Sequence, residues 1–344
     1  MRASLTVIVP TVAERAGLLG ELVDSVCAQL DATDRLVISF DGVPSEGEAG
    51  WAAHGLLGDD RIRVLAQSAT GPGGARNRGL RQTDTELVLF LNDDVVPEPK
   101  TLDAHRKAHE NRAAEGLPQA LLVGSAPFEA VTDATVLDDM VASTSLIFFY
   151  DQMQDGVDRD LGFRHAWTLN LSLPRSIALR FDERLRWPMF DDLEWAFRIA
   201  TTTGATVRHL PDAGVVHRHR YTPLGVLRRE VLLGHQLEAL RSINPACASA
   251  VFGDRYRSEP TEDEIDQAAA FFRSFAESCS RPSEADPAAA SELFGCSREW
   301  RDPVRALGAA AGRSGIPLQE AVRSVESRFT RSSVVKHSAS GEAA

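Results

Sequence analysis

At 344 residues, 25% of them charged and 43% hydrophobic, the chain holds enough apolar material for one large α/β domain or two smaller ones, and its composition excludes a disordered chain. A formal charge of −12 argues against general affinity for nucleic acid or anionic membrane surfaces, although local basic pockets fit within it. No apolar run reaches the roughly 18 to 20 residues of a membrane span, residues 1–9 lack the layout of a signal peptide, and Cys27, Cys247, Cys279 and Cys296 form no CxxC pair, so the expectation is a soluble cytoplasmic protein with reduced thiols.

The first 130 residues alternate strand-like and helix-like segments. "SLTVIV" (4–9), "RLVISF" (35–40), "RIRVL" (61–65), "LVLFL" (87–91) and "ALLVG" (120–124) are short and rich in Val, Ile and Leu. That pattern predicts parallel strands joined by crossover helices, an α/β class. Residues 13–30 place Leu18, Leu22, Val26 and Leu30 on one face, as an amphipathic crossover helix does. The segment 131–221 holds "NLSLP", "RWPMFDDLEWAFRIATTTGA" and the strand-like "VVHRHR". Residues 222–330 read as an added helical module, and 331–344 as a frayed tail.

In open α/β sheets ligands sit beyond the carboxyl ends of the strands, so those ends are where chemistry is sought. The first strand ends in Pro10 and Thr11, the second in Asp41 and Gly42, and the fourth in Asn92, Asp93 and Asp94. Two adjacent carboxylates at a sheet mouth either hold a hard divalent cation shared with phosphate oxygens or form a solvated turn. "GPGGARNRGL" (71–80) is a glycine-rich loop entering a helix that carries Arg76. It suits a phosphate, or is an ordinary loop, and it matches neither the Walker nor the dinucleotide pattern. Asp41 either accepts from a nucleobase or ribose or closes an Asp-Gly turn, and "TVAE" (11–14) reads as a capping box.

In "MFDDLEWAFRI" (189–199), Phe190, Leu193, Phe197 and Ala200 form the expected apolar stripe of a helix. Asp191, Asp192 and Glu194 stand at its start, as partners of the helix dipole or, for one of them, as a general base. Glu194 has Arg198 four residues on for an ion pair. His217 and His219 share one side of "VVHRHR", where an imidazole either completes a metal site or is structural, and Arg218 and Arg220 are placed to face a diphosphate.

In this order, "TVIVPT", "FDG", "GPGGARNRGL", "LFLNDDVVPEP", "NLSLPRS" with "FDERL", and "FDDLEWAFRI" resemble the family 2 glycosyltransferases over residues 4–220. The resemblance implies a GT-A fold, a Rossmann-like mixed central sheet flanked by helices, with residues 1–130 as the half that binds a nucleoside diphosphate sugar and 131–221 as the acceptor half. It implies Pro10, Thr11 and Asp41 at the nucleoside, and Arg76, Asn92 and Asp93 toward the nucleotide. Asp93 and Asp94 would bind Mn2+ or Mg2+ with His217 as a further ligand, and Asp192, with Asp191 beside it, would be the base of an inverting displacement. Family members usually have aspartate where this chain has Asn92. The absence of QxxRW and of a membrane span favours single addition to a soluble acceptor, with the C-terminal helices shaping the acceptor site or making a homodimer. The alternatives are a catalytically silent sugar-nucleotide sensor and a sugar nucleotidyltransferase, which would want a basic glycine-rich loop straight after the first strand.

Overall fold

The computed structural model describes residues 2–42, 59–153 and 159–331, so all but Arg331 of the expected tail lies outside the described residues. Five strands form where apolar runs predict them: β1 (Leu5–Thr11), β2 (Arg35–Asp41), β3 (Ile62–Gln67), β4 (Leu87–Leu91) and, after the short β5 (Val95–Pro97), β6 (Ala120–Gly124). Three more follow, β7 (Asn170–Pro174), β8 (Thr206–Leu210) and β9 (Val215–His217). Seven of them make one mixed sheet in the order β3-β2-β1-β4-β7-β6-β8, while β5 and β9 pair as a separate ribbon. β1 to β4 run parallel, with Val7 opposite Leu36 on one side and Leu89 on the other. β7 is antiparallel to both β4 and β6. This is the mixed, helix-flanked sheet expected of the GT-A class.

Alternation along the strands divides the core. Val7, Val9, Leu36, Ile38, Leu89 and Leu91 face one side, and Ile8, Val37, Val88 and Phe90 the other. Every residue of β1 and β4 is buried, as central parallel strands covered on both faces require. The single helix expected over 13–30 is instead a 3-10 segment, Ala13–Leu18, followed by α1 (Leu19–Cys27). Gly17 and Gly20 weaken an α-helix there, and Leu19, Leu22, Val23 and Val26 close on the sheet. Leu30 is buried beyond the helix end.

The other flanking helices are α2 (Pro72–Arg81), α3 (Thr101–Ala114), α4 (Val136–Ser143) and α5 (Phe190–Thr203). The stripe expected on α5 is only half of its packing. Trp195, Ala196 and Ile199 enter the sheet core, where Trp195 stacks on Phe181 at 4.6 Å, while Phe190, Leu193 and Phe197 pack toward the C-terminal helices. The helix is gripped from both sides.

The C-terminal region folds as α6 (Pro223–Ile243), α7 (Pro245–Phe252), α8 (Glu262–Cys279), α9 (Pro287–Cys296), α10 (Arg298–Arg313) and α11 (Leu318–Thr330). Local chemistry sets their starts: Thr222, Asn244 and Asp286 accept backbone N–H groups, and Thr261 with Glu264 forms a capping box. Leu137, Met140, Leu146 and Ile147 share a core with Val231, Phe272, Trp300 and Phe329, so α4 packs with these helices. All four cysteines are free. Among the described residues no helix is long and apolar enough to cross a membrane.

α6 and α10 touch backbone to backbone. A Cβ on Gly234 would lie 2.0 Å from the Arg305 carbonyl oxygen, and one on Gly308 2.3 Å from that of Val231. Backbone cannot yield as a side chain can, so Gly308→Ala is expected to cost about 1–3 kcal/mol of unfolding free energy by forcing the helices apart. Urea denaturation beside the wild type measures it.

Candidate active site

The end of β4 is held from both sides. The Asn92 amide donates to the Leu169 carbonyl at 3.2 Å, and the Arg218 amide donates to the Asp94 carbonyl at 2.7 Å. Pairing of β5 with β9 sets His217 opposite Val95 and brings its ring to Asp94, Nε2 lying 3.6 Å from Oδ2. His217 is buried and stacks on Phe128 at 4.7 Å. His219 Nδ1 is 3.9 Å from Asp94 Oδ2, with its ring 4.4 Å from that of Tyr221.

The two carboxylates carry different surroundings. Asp93 accepts from the Thr11 hydroxyl at 2.8 Å, and Arg15 spans the pair, 3.0 Å from Asp93 and 2.7 Å from Asp94. Burial raises the Asp93 pKa, with Arg15 opposing. Burial works against charge on Asp94 as well, yet His217 and Arg15 hold it below the usual carboxylate range. Asp94 Oδ1 and His217 Nδ1 are both buried without a hydrogen-bond partner. Among the described residues no three His, Cys, Asp or Glu side chains converge closely enough to enclose an ion by themselves.

The TVAE capping box does not form. Thr11 is the last residue of β1 and its hydroxyl goes to Asp93 and the Val12 carbonyl, while Glu14 is exposed. The arginines that follow β9 are held by carboxylates: Arg218 pairs with Glu21 and Glu129, and Arg220 with Asp133 and Asp138. Pro10 is a buried strand residue in register with Ser39.

The glycine-rich stretch is a packing device. Asp41 accepts from the amides of Thr70 at 2.6 Å and Gly71 at 3.0 Å, fixing the approach to α2. Gly71 has φ of +88°, and a Cβ there would lie 2.3 Å from the Arg186 carbonyl oxygen. α2 is buried along most of its length. Arg78 donates to the Phe40 carbonyl at 2.6 Å, and Asn77 donates to the Phe181 carbonyl and accepts from its amide. Arg76 alone turns to the site: Nη1 donates to Asp191 at 2.8 Å and Nη2 to Asn92 Oδ1 at 3.2 Å. Asn92 is thus a neutral acceptor for a guanidinium already committed to Asp191.

Asp191 and Asp192 open α5. Asp191 is buried against Arg76, whereas Asp192 is half-buried and accepts from the Leu193 amide at 2.8 Å. Burial and the neighbouring Asp191 push the Asp192 pKa up to about 7, with Arg76 opposing. Glu194 makes the expected pair with Arg198, 2.7 Å away.

Arg76, Asn92, Asp191 and Asp192 border one cleft of about 340 Å³. Its walls are Phe148, Phe149, Trp167 and Tyr221, and its far side is Arg229, Leu233, Phe252, Arg301 and Arg305 from the C-terminal helices. Thr11, Asp93, Asp94 and His217 form a second group joined to the first through the Asn92–Asp93 peptide. Sequence reading missed Arg15, although it follows a strand end by four residues, where the strand-end rule points. It also missed the cleft arginines, which no local pattern marks.

The Glycosyl transferase family 2 model matches residues 6–118. The succinoglycan biosynthesis protein ExoW of Rhizobium meliloti (strain 1021) is 34% identical over 102 residues, which is 29% of this chain and 32% of that protein, so the match spans about a third of the curated relative. Among solved structures, S. aureus TarS 1–349 in complex with UDP superposes with a TM-score of 0.46 at 15% identity, covering 91% of this chain and 92% of that one. TarS solved at greater length gives 0.47 at 14% identity, covering 90% and 55%. These two likenesses are of general shape, and nothing about the chemistry rests on them. Over its residues 6–118, a third of its length, the chain is similar to glycosyl transferase family 2.

Proposed function

We propose that this chain transfers a sugar from a nucleoside diphosphate sugar to an acceptor hydroxyl by a single displacement with inversion, Asp192 acting as general base. The observation that carries the reading is a half-buried carboxyl, pushed up to about 7, on the wall of a cleft that also reaches the polar end of β4. A base with that pKa holds a proton acceptor at neutral pH and can still take up the proton it removes. Asp192 takes the acceptor's hydroxyl proton as the acceptor oxygen bonds to the anomeric carbon. The bond from that carbon to the diphosphate oxygen breaks, and its electron pair leaves with the nucleoside diphosphate. Arg76, holding Asp191 and Asn92 together, fixes the base relative to β4. Aromatic walls suit the apolar face of a sugar ring and exclude water from it.

The Asp94–His217 pair suits a hard divalent cation, Mn2+ or Mg2+, as two of its ligands: Asp94 has a buried oxygen with no partner, and the imidazole faces the same carboxylate. Asp94 and His217 would hold the ion, Asp93 would support it, and phosphate oxygens of the donor would complete its shell. When bound, the ion supplies positive charge that offsets the charge developing on the departing diphosphate.

Isothermal titration of a nucleoside diphosphate into the chain, with Mn2+ and with chelator, tests the arrangement. UDP, GDP and dTDP are each tried. Mn2+ is expected to tighten binding of one of them about tenfold or more, and Asp94→Asn to remove that gain. Equal affinity with and without metal for all three contradicts the metal assignment.

A further inference from the structure

The far side of the cleft carries more positive charge than the fold employs. Arg229 from α6 and Arg301 and Arg305 from α10 gather around Glu230, a fully buried carboxylate. Arg301 Nε lies 3.2 Å from Glu230, Arg229 Nη1 lies 3.7 Å away, and Arg305 Nε bonds its other oxygen. Arg301 also reaches Ser297 Oγ at 3.4 Å, and Arg305 reaches the Tyr256 hydroxyl at 3.4 Å. That leaves the Nη2 groups of Arg301 and Arg305 without a partner among the described residues. Arg164 borders the same cleft, its guanidinium over the Phe149 ring at 5.7 Å, with no carboxylate partner among the described residues. Three guanidiniums therefore share one carboxylate, and a fourth borders the same cleft.

Guanidiniums crowded at a partly desolvated wall repel one another unless an anion sits among them, and their planar donors match phosphate and carboxylate oxygens. We propose that the acceptor is anionic, with a phosphate or carboxylate group seated among Arg164, Arg229, Arg301 and Arg305 while its hydroxyl meets Asp192. This rests on reading the cleft as a glycosyl-transfer site, and it gives the C-terminal helices a part in choosing the acceptor.

The test uses the full chain with its donor site filled by a nucleoside diphosphate and Mn2+. Calorimetry compares D-glucose 6-phosphate with D-glucose as probes of the remaining cleft. The phosphate form is expected to bind about tenfold or more tightly, and the double variant Arg164→Gln/Arg229→Gln to lose that preference while its thermal melt stays cooperative. Arg229→Lys, which keeps the charge, is expected to retain part of it. Equal affinity for the two probes, or a preference unchanged in the double variant, overturns the inference. Binding to phosphatidylglycerol but not phosphatidylcholine vesicles, competed by glucose 6-phosphate, would assign the anion to a lipid headgroup; glucose 6-phosphate binding without vesicle binding assigns it to a soluble acceptor. Donor hydrolysis in the same wild-type preparation separates the two readings. Hydrolysis without anion preference overturns only the inference, whereas anion preference with no hydrolysis of any donor overturns the transfer reading and leaves an anion site.

Discussion

Replacing Asp192 by Asn is expected to lower the transfer rate about a thousandfold while donor affinity stays within about twofold, because the change removes the proton acceptor and nothing that holds the nucleotide. The Asn side chain still accepts from the Leu193 amide, so the start of α5 is preserved. In the wild type the rate should climb with pH and level off above about 7, the range to which burial and Asp191 push Asp192. Nucleoside diphosphate release followed across that range checks both. The same shift has a sign for stability. An unfolded Asp ionises near about pH 3.9, so between about pH 4 and about pH 7 the folded chain binds the extra proton, and the wild type loses stability as pH rises through that window. Asp192→Asn escapes this loss. It should match the wild type near pH 4 and exceed it at pH 8 by on the order of 1–2 kcal/mol, read from thermal melts at the two pH values.

Arg76→Met is expected to be the most destabilising single change at the site. Its side chain and that of Asp191 are only 7% and 5% exposed, and their bond is 2.8 Å long. Removing the guanidinium strands a buried carboxylate and leaves the Asn92 carbonyl without its donor, a loss of about 3–5 kcal/mol. Asp191→Asn in the Arg76→Met background should recover much of that loss by removing the stranded charge. A double-mutant cycle in urea measures the coupling, and additive effects would show that the two residues act separately. Arg76 also opposes the upward shift of Asp192, so Arg76→Met should displace the rise of the pH–rate profile to higher pH.

The strands were legible because each central one is a short Val, Ile and Leu run between polar punctuation, and burial on both faces demands that composition. The acidic end of β4 and the acidic start of α5 were legible for the same reason: charge directly beside buried segments stands out. What failed was local pattern set against distant contact. Thr11 and Glu14 fit a helix cap by spacing, but Asp93, brought alongside β1 by the pairing of β1 with β4, takes the hydroxyl instead. Arg218 and Arg220 looked aimed at a ligand because their acidic partners, Glu21, Glu129, Asp133 and Asp138, lie far off in sequence. The glycines before α2 read as room for a ligand, whereas Gly71 makes room for the backbone at Arg186. Asn92 could not be assigned from sequence because its partner, Arg76, meets it only after α2 docks on β1 and β2.

The most direct measurement is proton NMR of each common sugar nucleotide incubated with the chain and Mn2+, following the anomeric signal as nucleoside diphosphate appears. The expected result is consumption of at least one donor, its sugar released or transferred with inverted anomeric configuration, and no consumption with Asp192→Asn. Retained configuration, or equal turnover by Asp192→Asn, would contradict a single displacement assisted by Asp192.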